Sequence, residues 1–306
     1  MSQCQDTGES VQPRRPTEPA DVGLDATFKS CTVDADGRRI RYVRGGSGPL
    51  LILIHGWPQD WTAWRHVVPV LAETFTVAAV DLRGVGGSQA AAGGYDAEGL
   101  AGDIRAVAAD VGIGAAYVAG HDIGGMVAYA YTRLYPDDVR GLMILDVALP
   151  GLDPWEAIES SPLLWHFRFH ATPGLPEMLV EGRQQMYIRE FVSRIALNAD
   201  AISDDDIARY AHAYGTADQL RSGFEFYRAF PQTACFNETR SEPLHVPIVL
   251  AGGDRATGQA NEIIAAALRA KGAQKVVIDT IENSGHFVVD EQRDQVIALI
   301  AGHMAA

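Results

Sequence analysis

Asp122 stands where an apolar run, Tyr117-Val118-Ala119, enters the glycine-flanked turn Gly120-His121-Asp122-Ile123-Gly124-Gly125. A serine in such a turn would be set up to attack carbonyl carbon. A carboxylate does different chemistry: its attack on an ester or amide yields only an anhydride that reverses. Displacement at saturated carbon instead leaves an alkyl ester on the protein, which water can cleave in a second step. The second step needs a base, and His286, in Ser284-Gly285-His286, is the candidate among nine histidines. The competing role for Asp122 is a simple helix N-cap, for which Asp is a favoured residue.

Both residues need a scaffold that brings distant segments together, and the hydropathy pattern supplies one. Two short strands between Thr27 and Gly45 are joined by a turn at Asp34-Ala35-Asp36-Gly37. Continuous apolar runs follow at Leu50–Ile54, Thr76–Val80, Ala115–Ala119 and Leu142–Leu145, and later at Pro247–Ala251 and Val276–Ile278. Between them lie helical patterns, with apolar residues at Leu100, Ile104, Val107 and Val111 and at Trp61, Trp64, Val68 and Leu71. Strands of this kind alternating with helices predict an α/β architecture with a mostly parallel, eight-stranded sheet covered on both faces. The alternation stops at Pro150 and resumes near Pro247. The intervening segment reads as helical, with helices over Pro176 to Leu197 and Asp204 to Tyr214 and a capping box at Ser203 and Asp206. An insertion of this length between the sixth and seventh strands predicts a cap. The expected organisation is a tail at 1–24, a core at 25–147 and 243–306, and a cap at 148–242.

Composition excludes several classes. Lys and Arg total 25 against 39 Asp and Glu, a net charge of -14, which repels nucleic acid and anionic membrane surfaces. Cys4, Cys31 and Cys235 are too few and scattered for a disulfide framework or zinc knuckle, and they fit a reducing compartment, so the expected location is the cytoplasm. No run reaches the length of a membrane span, and the first residues lack the apolar stretch of a signal peptide.

His55-Gly56-Trp57-Pro58, Gly120-His121-Asp122-Ile123-Gly124 and Ser284-Gly285-His286, each at the end of an expected strand and in this order, resemble the α/β-hydrolase fold over residues 25 to 306. Within that fold they are similar to the epoxide hydrolases. The resemblance implies that Asp122 is the nucleophile, that His286 activates water, and that the backbone N–H groups of Trp57 and Ile123 form the oxyanion hole. His55 is given a structural role. For the acid that orients His286 two positions stay open. A common pattern places it after the seventh strand, where Ala256 occupies the site and Asp254 falls two residues early. Asp146, 24 residues after Asp122 at the end of the sixth strand, occupies the position used in the branch resembling the Cif virulence factor and in fluoroacetate dehalogenases.

Opening an epoxide generates an alkoxide that needs a proton. Leu164-Trp165-His166-Phe167 and Gly223-Phe224-Glu225-Phe226-Tyr227-Arg228 resemble the cap segments of the Cif-like branch, which implies His166 and Tyr227 as the donor pair. Trp57, Trp165 and Phe167 are the expected pocket wall. The partners implied are an epoxide and water, with no cofactor and no metal; His166 and His170 have a metal-ligand spacing but no third ligand. Arg83-Gly84-Val85-Gly86-Gly87-Ser88 matches no phosphate-binding pattern and reads as a tight turn. Oligomeric state is open, a homodimer being one of the compatible states. The rival activities are haloacid or haloalkane dehalogenation and a silent binding protein of the same fold. Fluoroacetate dehalogenases hold their substrate carboxylate with arginines at the positions of Ile123 and Met126, and haloalkane dehalogenases commonly carry a Trp at that of Ile123.

Overall fold

Strands that are apolar at every position must be buried on both faces, and this governs the middle of the molecule. In the computed structural model, which describes residues 27–304, β3 (Leu50–Ile54), β4 (Thr76–Val80) and β5 (Ala116–His121) are buried along their whole length. With β1 (Lys29–Ala35), β2 (Arg38–Gly46), β6 (Val139–Leu145), β7 (Ile248–Gly253) and β8 (Val276–Ile281) they form one eight-stranded sheet in the order β1-β2-β4-β3-β5-β6-β7-β8. All neighbours from β4 to β8 are parallel, while β2 runs antiparallel to β1 and β4. The expected tail at 1–24 lies outside the described residues.

The hairpin between β1 and β2 closes on two residues, Asp36 at φ 51° and Gly37 at φ 80°, the twist that matches right-handed strands. The long Ala97–Val111 and Ile123–Leu134 helices bury Leu100, Ile104 and Val107, and Met126, Val127 and Tyr131, against the sheet. Asp96 caps the first by accepting the Gly99 N–H, and Gly112 ends it in the left-handed conformation.

Two helix expectations are corrected. Trp61 to Leu71 is not one helix but a 3-10 turn at Trp61–Trp64 followed by a single turn at Val68–Leu71. Pro69 lacks an N–H and sits in the first turn of the second piece, where a longer helix cannot run through it. Pro176 to Leu197 is likewise split into Leu175–Val180 and Gln184–Ile195, because Gly182 takes φ 74° between them. The Asp204–Ala213 helix does open on the expected capping box, with Ser203 and Asp206 bonded reciprocally.

Between β6 and β7 the chain forms helices and connecting turns, with a single isolated bridge from Leu244 to Ala273 just before β7. These lie over the C-terminal ends of the strands. The Ala217–Arg228 helix rests on Gly84, where an added Cβ would come within 2.1 Å of the Ser222 Oγ. The glycine-rich turn after β4 is therefore a seat for this helix. Arg83 beside it is spent on structure: it makes a two-pronged bond to buried Asp103 at 2.8 Å and 2.8 Å and donates to the carbonyls of Gly93, Gly94 and Gly99.

Candidate active site

Asp122 follows β5 directly and precedes the Ile123–Leu134 helix, held at φ 52° and ψ -126°. A non-glycine residue in this region costs on the order of 1–3 kcal/mol, so its neighbours must impose it. They do so by close approach. A Cβ at Gly120 would lie 2.0 Å from the Gly124 oxygen, and one at Gly124 would lie 2.3 Å from the Ile54 oxygen. Asp122 also donates its N–H to Leu145 at the end of β6 at 3.0 Å. Although it occupies the N-cap position, its side chain makes no capping bond. The carboxylate turns instead toward β3, where its Oδ2 accepts the Trp57 N–H at 3.0 Å. The Trp57-Pro58 peptide bond is cis.

Burial raises the pKa of Asp122, and the charge on His286 with the Trp57 and Ile123 amides works against that rise. The two amides that the sequence suggested for an oxyanion are thus the two that favour negative charge on this side chain. His55 fixes the same turn from below. Its Nε2 accepts the Leu82 N–H at 3.0 Å, which leaves the hydrogen on Nδ1 to donate to the Gly56 carbonyl at 2.8 Å.

His286 lies in the turn between β8 and the short Val288–Glu291 helix. Its Nδ1 is 2.7 Å from Asp146 Oδ2, so Nδ1 carries a hydrogen and, in the neutral imidazole, Nε2 is the nitrogen that keeps a lone pair. Asp146 is buried, with φ 49°, and its other oxygen accepts from the Gly253 N–H at 2.9 Å, the Thr257 N–H at 3.1 Å and the Thr257 hydroxyl at 2.7 Å. Asp254 is not against the imidazole. It accepts the Ser284 N–H at 3.1 Å and so holds the backbone two residues upstream. Thr257 is a site residue that the sequence reasoning missed. It follows Ala256, at the empty acid position, and donates to the acid that comes from β6 instead.

Burial lowers the pKa of His286, but the Asp146 hydrogen bond and the Asp122 charge outweigh it and leave the imidazole above its ordinary value. His121, next to Asp122, donates from Nε2 to the His286 carbonyl at 2.8 Å. Burial and the His286 charge hold the His121 pKa down at about 3, so this ring stays neutral.

The helical segment between β6 and β7 places His166 on the Trp165–Ala171 helix and Tyr227 on Ala217–Arg228. Their rings lie 5.7 Å apart, and both side chains are buried. Burial, then the charge of His286, lowers the His166 pKa to about 3. Burial, then the charge of Asp122, drives the Tyr227 pKa upward. Both groups are therefore neutral at ordinary pH. The His166 Nδ1 has no hydrogen-bond partner among the described residues.

The Trp57 ring rises into a cage of His170 (4.4 Å), Phe191 (4.7 Å), Tyr227 (5.9 Å), Tyr187 (6.0 Å) and Tyr214 (6.3 Å). Phe167 packs 5.6 Å from Tyr227 and 5.7 Å from Trp155. Trp165 is 40% exposed and borders His166 and Tyr187. His170 bonds Tyr187 through Nε2 at 2.7 Å, and no group of three metal-ligating side chains occurs among the described residues. No helix among those residues is long and apolar enough to cross a membrane.

Residues 51–299 match the Alpha/beta hydrolase family. A soluble epoxide hydrolase of Corynebacterium sp. (strain C12) is 34% identical over 271 residues, covering 86% of this chain and 92% of that one. The ligand-free structure of the epoxide hydrolase CorEH superposes with a TM-score of 0.81 at 32% identity, covering 91% of this chain and 99% of that one. A fluoroacetate dehalogenase of Burkholderia sp. is 34% identical over 161 residues, covering 50% of this chain and 53% of its own length.

Proposed function

The chain belongs to the alpha/beta hydrolase family, and from that membership we propose that it is an epoxide hydrolase, forming a vicinal diol through a hydroxyalkyl ester on Asp122. The reading rests on one juxtaposition. A buried carboxylate accepts the Trp57 amide at 3.0 Å, and the ring of that same Trp57 lies 5.9 Å from Tyr227, which is itself 5.7 Å from His166. A serine hydrolase has no use for such donors over a carboxylate.

With Oδ2 engaged by the Trp57 amide, Oδ1 of Asp122 attacks an epoxide carbon from behind, and the C–O bond breaks as the ester forms. The leaving oxygen becomes an alkoxide and takes a proton. A neutral imidazole is a very weak acid, so His166 acts as a hydrogen-bond donor while the Tyr227 phenol gives the proton. His286 Nε2 then removes a proton from water, which adds to the ester carbonyl of Asp122. The oxyanion so formed is held by the Trp57 and Ile123 amides. Its collapse expels the diol alkoxide, which takes the proton from His286, and leaves Asp122 as a carboxylic acid. That acid proton passes through water to the Tyr227 phenolate, which restores both the Asp122 carboxylate and the Tyr227 phenol. Trp57 and Phe167 would wall the bound ring, with Trp165 at the rim.

Tyr227→Phe is expected to lower kcat/KM for epoxide opening by about 100-fold. His166→Gln, which keeps a donor, should lower it less. Equal losses would remove the division of labour between the two groups.

Ester formation neutralises Asp122, one of the charges that raise the His286 pKa. His286 is therefore easier to deprotonate in the ester intermediate than in the free protein. The acid limb of kcat, which depends on neutral His286 in the intermediate, is expected at lower pH than the His286 titration seen by NMR in the free protein. An acid limb at or above that titration contradicts this linkage.

The dehalogenase reading has a relative matched over 53% of its length in its favour, but the clamp positions hold buried apolar residues, Ile123 and Met126. The test is a side-by-side assay of the purified chain for diol formation from styrene-type, terpenoid and fatty-acyl epoxides and for halide release from haloalkanes and fluoroacetate. Halide release without diol formation would overturn the proposal; inertness on every substrate would favour a binding protein.

A further inference from the structure

The loop that carries His286 is tied to the cap by a carboxylate with no part in the steps above. Glu291 ends the Val288–Glu291 helix and is 8% exposed. Its Oε2 accepts from the N–H groups of Leu197 at 2.9 Å, Asn198 at 2.9 Å and Gly285 at 3.0 Å, and its Oε1 accepts from Phe287 at 3.1 Å. Gly285 and Phe287 flank the imidazole in sequence. Leu197 and Asn198 belong to the cap segment after the Gln184–Ile195 helix.

A carboxylate offers about four acceptor sites, and here four backbone donors converge on it. Ion-pair partners are absent from its surroundings among the described residues, so the arrangement is a joint between two segments and not a salt bridge. The backbone of His286 closes the same joint by donating its N–H to the Ile195 carbonyl at 3.2 Å. Gly285 lets the two strands of chain touch: a Cβ there would lie 2.4 Å from the Leu197 nitrogen and 2.8 Å from the Ile195 oxygen.

We infer that Glu291 is a positioning residue for the second half-reaction, holding the His286 loop against cap residues 195–198 so that the imidazole meets the ester at the right distance. The inference rests on the reading of His286 as the water-activating base. The atoms of the first half-reaction are held by other elements: Asp122 by the β5 elbow, and His166 and Tyr227 by their own helices. Loosening the joint therefore slows ester hydrolysis and spares ester formation. Displacement of a catalytic group by about 1 Å costs up to about 100-fold.

The test uses Glu291→Gln and Gly285→Ala in the full chain with an epoxide that the unaltered protein turns over. Glutamine is nearly isosteric but sets an NH2 against N–H donors, and the alanine wedges the joint from the other side without touching Glu291. For each, kcat should fall by about 10-fold or more with KM falling in parallel, leaving kcat/KM within about 2-fold. Intact-mass analysis during turnover should show the ester accumulating. A purely structural role would lower the active fraction and take kcat and kcat/KM down together, and that result overturns the inference. So does an unaltered kcat in a variant that melts cooperatively. If Glu291→Gln does not fold, Gly285→Ala alone decides by the same criteria. An unaltered chain that opens no epoxide overturns the proposed activity and this inference with it, whereas normal turnover with indifferent variants overturns this inference alone.

Discussion

Asp122→Asn is expected to lower kcat on a chromogenic epoxide by at least about 10,000-fold, the scale seen when a covalent nucleophile is removed. The amide oxygen can still accept the Trp57 N–H, and asparagine tolerates the positive φ of the elbow as well as aspartate does. The loss should therefore come without unfolding. Stability should even rise. The Asp122 pKa is raised in the folded chain, so the folded state binds its proton more tightly than the unfolded state does. Its contribution is most favourable below the unfolded carboxyl pKa and is lost as pH climbs through the raised folded value. At neutral pH the buried charge opposes folding, and the neutral amide removes that opposition. A melting temperature at or above that of the unaltered protein, combined with lost turnover, is the expected pair of results. Retained turnover in Asp122→Asn would sink the covalent mechanism.

His286→Gln should separate the two half-reactions. Glutamine cannot take a proton from water, so ester forms on Asp122 and stays, and steady-state kcat falls by at least about 1,000-fold. Mixing the variant with epoxide should give a burst of about one equivalent per chain and a mass increase equal to that of the substrate. Peptide mapping should locate it on the segment containing Asp122. Loss of turnover with no adduct would assign His286 to the first step and overturn its role as the base. Together the two variants ask whether the elbow carboxylate makes the bond and whether the β8 imidazole breaks it.

The site was unevenly legible in the sequence. Asp122 and His286 could be singled out because each follows a strand that opens on an apolar run, and the C-terminal ends of parallel strands converge at one edge of the sheet. The roles proposed for Trp57 and Ile123 run through backbone N–H groups, so only their positions beside His55-Gly56 and Asp122 carried a signal. His166 and Tyr227 rested on resemblance alone, since an aromatic and a histidine on amphipathic helices look alike whether they face solvent or a nucleophile. Two helices were misread for a local reason. Pro69 and Gly182 interrupt patterns whose apolar spacing continues across the break.

The sequence by itself determined the order of strands and helices, the place of the helical insertion between β6 and β7, and the carboxylate side chain at the β5 elbow. These follow from local hydropathy and from residue identity at a strand end, which every folded arrangement of this chain must respect. Only the tertiary structure decided between Asp146 and Asp254. Both are acids near strand ends, but the elbow of β6 aims one at the His286 Nδ1 at 2.7 Å while the other is drawn to the Ser284 amide. It also decided that Thr257 completes the acid's hydrogen bonds and that Glu291 reaches an amide 94 residues away, that of Leu197. Those are distances between segments far apart in the chain, set by how the sheet twists and how the cap seats, and no local pattern encodes them.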